Sequence, residues 1–327
     1  MEKKYNANLL FALLSVMMFA LGLQVGGFNL VIDPVAAEYQ LSETLKGLLA
    51  TFQYLAILVA PVLFGGLSDR LGRKNIITAF SLLFLVGCAF TLFVSNAVGF
   101  IIGVFLIGAG ASVTWSTISA ALGDAFAARA GRFISFSFMF YSLGAVVSPQ
   151  VINFCMNRGM DWRSCYWLAG IAVLISLVIV LTLTFAPQPT FTADEKKGGN
   201  AGRFQGIGSI LFIGLFLSMI LYCSVENGLT FFSGSYFTML DTPAYIATAI
   251  SAYWFMMIPA RLLAGLFDKY RREVLIFGFV CMTILLVVMY TTTSGMVGLI
   301  CMGAIGFVAG PLYSTLIGLG AESFPKN

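Results

Sequence analysis

The chain has 327 residues, of which 59% are hydrophobic and only 10% charged, whereas a soluble domain carries roughly 25% charge. So few charges cannot coat a globule of this length, and the apolar residues fall in runs of about 20, enough to cross a ~30 Å hydrocarbon core as a helix; a soluble enzyme is excluded. The net charge of +4 is too small to imply a nucleic-acid partner, and the absence of histidine removes Ser-His-Asp triads, HExxH zinc sites and histidine proton shuttles together.

Ten apolar runs predict ten membrane helices, at 9–31, 47–65, 76–95, 98–121, 133–155, 164–186, 207–232, 245–266, 274–291 and 296–319. They are apolar on all sides, unlike the alternating strands of a membrane β-barrel, so the fold class is all-α and polytopic. The first run follows Lys3 and Lys4 but is too long for a signal-peptide core and has no Ala-x-Ala cleavage site, so it is expected to remain as helix 1. Helix 1 carries Gln24 and Asn29 within its apolar run. Helix 4 has Ser112, Trp115, Ser116 and Ser119 on one face, and helix 5 has Tyr141, Gln150 and Asn153. Hydroxyls, amides and rings in such positions suit either a cavity for a neutral polyhydroxylated ligand or the hydrogen bonds that join membrane helices. Gly22-x-x-x-Gly26, Gly99-x-x-x-Gly103 and Gly306-x-x-x-Gly310 read as close helix packing. The six cysteines show no CxxC spacing, and Cys155 and Cys165 are read as thiols rather than a disulfide.

A polar stretch, Pro187 to Arg203, separates two parts. The expected domains are a six-helix half at 1–186, a cytoplasmic linker at 187–206 and a second half at 207–327. In helix 7, Glu226 is the one acid placed well inside an apolar run. A carboxylate there is costly and marks a substrate or ion pathway, with Tyr222 one turn away on the same face to orient it. The alternative is that helix 7 ends near residue 226 and leaves Glu226 hydrated at the interface.

With the N-terminus in the cytoplasm, fifteen of the eighteen Lys and Arg residues lie inside; only Lys46, Arg158 and Arg163 lie outside. The segment Gly66-Leu67-Ser68-Asp69-Arg70-Leu71-Gly72-Arg73 recurs as Gly265-Leu266-Phe267-Asp268-Lys269-Tyr270-Arg271-Arg272, and Ile107-Gly108 recurs as Ile305-Gly306. Copies of one orientation at corresponding helix ends predict parallel repeats. Counterparts of helices 5 and 6 would then fall beyond Asn327, so the expectation is ten helices of a twelve-helix plan, with a complete ten-helix protein as the alternative.

The run Gly65-Gly66-Leu67-Ser68-Asp69-Arg70-Leu71-Gly72-Arg73-Lys74, between helices 2 and 3, resembles the G-x-L-[A/S]-D-R-x-G-R-[RK] loop of the major facilitator superfamily at every specified position. The resemblance implies a 6+6 carrier with a cytoplasmic latch built from Gly66, Asp69, Arg70, Gly72, Arg73 and Lys74, with Asp124 at the end of helix 4 and with Asp268 and Arg272 of the second copy. Topology and lipid contact are the blander roles for the same charges. Tyr222-Cys223-Ser224-Val225-Glu226-Asn227 is similar to the Y-x-G-x-E stretch of the fucose and glucose/galactose proton symporters, with Ser224 for the glycine. Tyr253-Trp254 through Ala260-Arg261 and Gly310-Pro311-Leu312-Tyr313 resemble the same group, adding Trp254 and Tyr313 to the candidate path. The superfamily's helix-4 arginine is replaced by Val104, and the helix-5 run of drug antiporters diverges at Gln150 and Val151.

The expected function is a secondary transporter of a small organic solute, a sugar first, by alternating access and proton symport. The expected candidate path is Glu226, Asn227, Tyr222, Gln24, Asn29, Trp115, Ser116, Tyr141, Trp254 and Tyr313. The expected partners are that solute, a proton and the lipid bilayer, for a monomer without cofactor or metal in the plasma (inner) membrane. A multidrug or metabolite efflux carrier, or a non-transporting sensor on a carrier fold, is the alternative. A primary pump is disfavoured because no G-x-x-x-x-G-K-[ST] loop is present.

Overall fold

The computed structural model describes residues 6–126, 129–186, 209–264 and 270–323. Among these, ten helices are long and apolar enough to cross a membrane, one for each run expected from the sequence. In chain order the helices are α1 Ala7–Glu38, α2 Glu43–Phe64, the short α3 Leu67–Leu71, α4 Arg73–Phe93, α5 Ala97–Phe126, α6 Ala130–Asn157 and α7 Ser164–Thr182. They continue with α8 Ile210–Phe231, the short α9 Ser233–Met239, α10 Ile246–Ala264, α11 Arg271–Thr291 and α12 Gly295–Ser323. The chain divides into two compact units, Met1–Gln188 and Pro189–Asn327.

Polar residues start the apolar helices where the sequence places them. The Asn6 side chain accepts from the amides of Asn8 and Leu9, Ser42 from Leu45 and Ser209 from Phe212, which satisfies amides that the first turn leaves without partners. Proline interrupts α1, α2, α6, α10 and α12 without ending them, as membrane helices tolerate when neighbouring groups take up the freed carbonyls. For this reason α1 runs through Pro34 to Glu38, seven residues past its apolar run, and carries Asp33 inside the helix. That acid is neutralised by Lys46 of α2, whose Nζ is 2.7 Å from Asp33 and 2.9 Å from Glu43; the Lys46 side chain is 3% exposed.

In the first unit α1 packs on α6 and α7, and α5 packs on α2 and α4. Glycine sets how closely they approach. A Cβ on Gly22 would stand 2.0 Å from the Tyr141 carbonyl oxygen, and one on Gly26 2.3 Å from that of Ala145, so α1 and α6 meet backbone to backbone. At the end where α1 stops, Glu38 pairs with Arg163 at 2.8 Å and accepts from the Trp162 indole at 2.5 Å. The Arg163 guanidinium lies 4.2 Å over the Trp162 ring. Its hydrogen bond to Glu38, with that to Asp161, holds its pKa above the ordinary arginine value.

The second unit repeats the scheme. There α12 packs on α10 and α11 as α5 packs on α2 and α4. The matched glycines sit at the matched contacts: a Cβ on Gly108 would lie 2.5 Å from the carbonyl oxygen of Gln53, and one on Gly306 2.1 Å from that of Tyr253. The internal repeat read from Ile107-Gly108 and Ile305-Gly306 is therefore a repeat of packing. All six cysteines are free thiols.

Candidate functional site

The loop after α2 is organised around Arg73. Gly72 turns the chain at φ +91°, a left-handed conformation that side chains resist, and so brings Arg73 to the first position of α4 close to α3. Its guanidinium pairs with Asp69 at 2.6 Å and Asp124 at 2.9 Å and donates to the Ser68 hydroxyl at 2.5 Å. Charge-assisted bonds of this kind are about twice as strong as neutral ones. Lys74 instead donates to the carbonyls of Leu181 and Leu183, at 2.6 and 2.9 Å, where a cation complements the end of α7. The helix α7 ends there at Thr182, four residues short of the apolar run. Gly66 and Arg70 are exposed. Of the second copy, Arg272 lies exposed in the first turn of α11, whereas Asp268 lies outside the described residues.

Inside the first unit the candidate path residues fall into separate groups. Gln24 is buried and accepts at 3.3 Å from the amide nitrogen of Gln53, which is equally enclosed; each is 1% exposed. The pairing leaves the Gln24 amide nitrogen and the Gln53 carbonyl oxygen without partners. Asn29 is buried in α1. Trp115 and Tyr141 meet edge to face at 5.7 Å between α5 and α6. The hydroxyls of Ser112, Ser116 and Ser119 donate to the carbonyls of Ala109, Val113 and Trp115 in their own helix.

The second unit brings three helices, α8, α10 and α12, together around an acid. The helix does not end at Glu226: α8 runs to Phe231 and is followed after Phe232 by α9, so Glu226 lies near the middle of a nearly continuous helical stretch. Its side chain is half-buried, and its Oε1 accepts from the Tyr222 hydroxyl at 3.0 Å. The Tyr222 ring, itself buried, lies 6.1 Å from that of Tyr313 on α12. Arg261 of α10 acts electrostatically on Glu226 and on Tyr222. Trp254 is buried on α10, at 5.7 Å edge to face with Tyr253. Asn227 turns back on its own helix, donating to the Cys223 carbonyl at 2.8 Å. An apolar cavity of about 310 Å³ begins half a turn further on, walled by Gly228, Phe232, Tyr236, Met289, Tyr290 and Met302. It contains none of the expected site residues, and the Ser233 and Tyr236 hydroxyls at its wall are spent on the carbonyls of Thr230 and Met289.

Three groups at these positions escaped the sequence reading. Gln53 is a lone amide in the second apolar run, a signal visible in the sequence. Tyr253 was read only as part of a resemblance, since an aromatic in an apolar run does not announce a buried hydroxyl. Asp33 lies two residues beyond the first apolar run, which ends at residue 31, and so falls outside the expected helix although α1 continues through it.

Comparison with known proteins supports what this geometry suggests. The profile of the Major Facilitator Superfamily matches residues 13–327. The chain is similar to the glucose transporter GlcP of Staphylococcus epidermidis, 23% identical over 167 residues, 51% of this chain and 36% of that protein. It is similar to the putative niacin/nicotinamide transporter NiaP of Bacillus subtilis, 23% identical over 54% of this chain and 44% of that one. These matches span less than half the length of either relative. Among solved structures, the partially occluded inward-open xylose transporter XylE of E. coli superposes with a TM-score of 0.74 at 16% identity, covering 98% of this chain and 85% of that one. The nucleoside transporter NupG superposes at 0.78 and 13% identity, covering 97% and 83%; at these identities the likeness is one of fold. With ten helices among the described residues long and apolar enough to cross a membrane, a packing repeat anchored at Gly108 and Gly306, and a profile match over nearly the whole length, this integral membrane protein belongs to the major facilitator superfamily.

Proposed function

We propose that the protein is a secondary carrier that moves a small neutral polyhydroxylated solute, a sugar, together with a proton. It works by alternating access, with halves bounded at 1–186 and 207–327 rocking about a cavity at the membrane midplane and the 187–206 segment as their linker. The observation that carries this reading is the Tyr222–Glu226 hydrogen bond in the interior of α8. An acid kept in an apolar helix by a neutral phenol has a reason to be there only if its charge is used. The aromatic groups Tyr313, Trp254, Trp115 and Tyr141 suit the C–H faces of a sugar, and Gln24, Asn29, Asn227 and Ser116 its hydroxyls.

The Arg73 cluster is read as the cytoplasmic gate. Asp69 and Asp124 hold Arg73, Lys74 fixes the end of α7, and Gly66, Arg70, Gly72, Asp268 and Arg272 complete the two copies. The charge bias of the loops supports a cytoplasmic N-terminus in the plasma (inner) membrane, and the protein acts as a monomer without enzymatic chemistry.

The test is uptake of a labelled monosaccharide series by the full-length protein in proteoliposomes, with and without an inward proton gradient. The expected result is saturable, gradient-driven accumulation that Glu226→Gln abolishes while solute-for-solute exchange persists. Unchanged accumulation and pH dependence in Glu226→Gln remove the coupling role; saturable uptake of none of the sugars removes the substrate.

A further inference from the structure

The second unit contains a buried hydroxyl with nothing to bond. The Tyr253 side chain is completely enclosed, and its oxygen has no hydrogen-bond partner, so it forgoes the bonds that water gives it when unfolded. Nor is its position adjustable. The Tyr253 backbone is pressed against Gly306, where a Cβ would stand 2.1 Å from the Tyr253 carbonyl oxygen, and its ring is set edge to face on Trp254 at 5.7 Å. A partner must therefore come to it.

Glu226 has the complementary vacancy. One carboxylate oxygen accepts from Tyr222, and the other has no hydrogen bond among the described residues. Both groups are held against one face of α12: the Tyr222 ring, whose hydroxyl bonds Glu226, lies 6.1 Å from that of Tyr313, and Tyr253 packs on Gly306, two helical turns away on the same face. The titratable groups around Glu226 are Tyr222 and Cys223 on its own helix, Tyr253 and Arg261 on α10, and Tyr313 on α12. The repeat offers a structural parallel: Gln53, which occupies in the first unit the place of Tyr253 against its glycine, reaches across to a side chain of α1.

We propose that Tyr253 is a positioning residue for Glu226. When the carboxylate is ionised and turns toward α10, Tyr253 donates to its second oxygen, so that two phenols and the Arg261 charge hold it. When Glu226 is protonated it returns to the arrangement described here, bonded to Tyr222 alone. A bond to an ionised acceptor is about twice as strong as one to a neutral group, so Tyr253 favours the ionised form. Because Tyr253 is clamped to α12 through Gly306, ionisation draws α8 toward the α10–α12 pair, which ties the protonation state to helix packing. This inference rests on Glu226 as the proton-exchanging group.

The experiment uses membranes bearing the full-length wild-type, Tyr253→Phe, Tyr222→Phe and Glu226→Gln proteins, treated with dicyclohexylcarbodiimide, which couples to protonated carboxyls in apolar surroundings. The Glu226 adduct is followed by peptide mass spectrometry, with Glu226→Gln as the blank. At neutral pH the labelling rate of Tyr253→Phe is expected to exceed wild type by about tenfold, the size of one charge-assisted bond. Tyr222→Phe is expected to show a smaller increase, because Tyr222 bonds Glu226 in both states. At acid pH, with the carboxyl fully protonated, the three rates are expected to converge. Equal rates for wild type and Tyr253→Phe at neutral pH overturn the inference alone. A difference that persists at acid pH also overturns it, because Tyr253 then controls access through packing. A wild-type Glu226 that takes no label at any pH overturns the coupling reading and the inference with it.

Discussion

The two halves are built on one packing scheme and treat polar groups differently. In the first, the carboxylates of α1 and α5 are matched by cations: Asp33 by Lys46, Glu38 by Arg163, and Asp124 by Arg73. Its central polar contact, Gln24 with Gln53, is neutral and closed. In the second, Glu226 is hydrogen-bonded to a phenol, with Arg261 acting on it electrostatically. Of the ion pairs in the first half, Arg73–Asp124 has both partners largely buried, at 10% and 11% exposure, and removing one partner of such a pair costs roughly 3–5 kcal/mol. A phenol can hydrogen-bond either a carboxylate or a carboxylic acid, since its hydroxyl both donates and accepts. On the proposed reading, the ion pairs of the first half hold packing and the cytoplasmic gate together, and the proton chemistry falls to Glu226 of the second.

The most severe way to break the comparison is at the shared packing. Gly108→Ala and Gly306→Ala each drive a methyl into a carbonyl of the neighbouring helix, at 2.5 and 2.1 Å. Backbone cannot rotate aside as a side chain does, so each variant is expected to lose about 3 kcal/mol, the upper range for overpacking, with Gly306→Ala the worse. Thermal unfolding in detergent, read by a dye that reacts with newly exposed buried thiols, measures this. If one variant is damaged and the other tolerated, the two contacts are not equivalent and the repeat does not extend to packing.

A milder test addresses the amide pair. Gln24→Leu or Gln53→Leu alone strands a buried amide and is expected to cost about 1–2 kcal/mol. The double variant removes both polar groups and is expected to recover most of that loss, a coupling of about 1 kcal/mol in a double-mutant cycle. Transport separates the two roles of Gln24. A stable double variant that retains uptake makes the pair an internal strut, and one that loses uptake puts Gln24 on the substrate path.

Much of this architecture is legible in the sequence because hydrocarbon imposes a length and an all-round apolar character on every crossing. The ten runs are found without structure for that reason, whereas the Arg73 loop is found through its resemblance to the superfamily's loop and the Gly108–Gly306 repeat through an internal sequence match. Burial is not legible in the same way. The helices α1 and α8 read as equally apolar, yet 61% of the apolar window of α1 is buried against 6% of that of α8, because burial depends on which neighbours a helix has. Side-chain partnerships are hidden for a related cause. Nothing local in the sequence tells that Gln53 meets Gln24 twenty-nine residues away, or that Lys46 reaches back to Asp33. The candidate list accordingly mixed groups that bridge helices, such as Tyr222 and Gln24, with groups that serve their own backbone, such as Ser116 and Asn227.

That mixture yields the smallest predicted effect. Ser116 donates at 3.0 Å to Val113, three residues back in α5, and Asn227 donates at 2.8 Å to Cys223, four residues back in α8. Such bonds compete with the helix ladder and add little to it. Ser116→Ala is therefore expected to shift stability by no more than about 0.5 kcal/mol, as for substitutions that remove no bridging contact, and to leave uptake unchanged. A marked loss of uptake with stability intact gives a different result: the serine leaves Val113 for the solute during the cycle, and the hydroxyl face of α5 belongs to the path. The same pair of measurements on Tyr222→Phe is expected to give the opposite pattern, a protein of near-normal stability whose uptake has lost its normal response to pH, because the hydroxyl removed there bonds the acid and not the backbone.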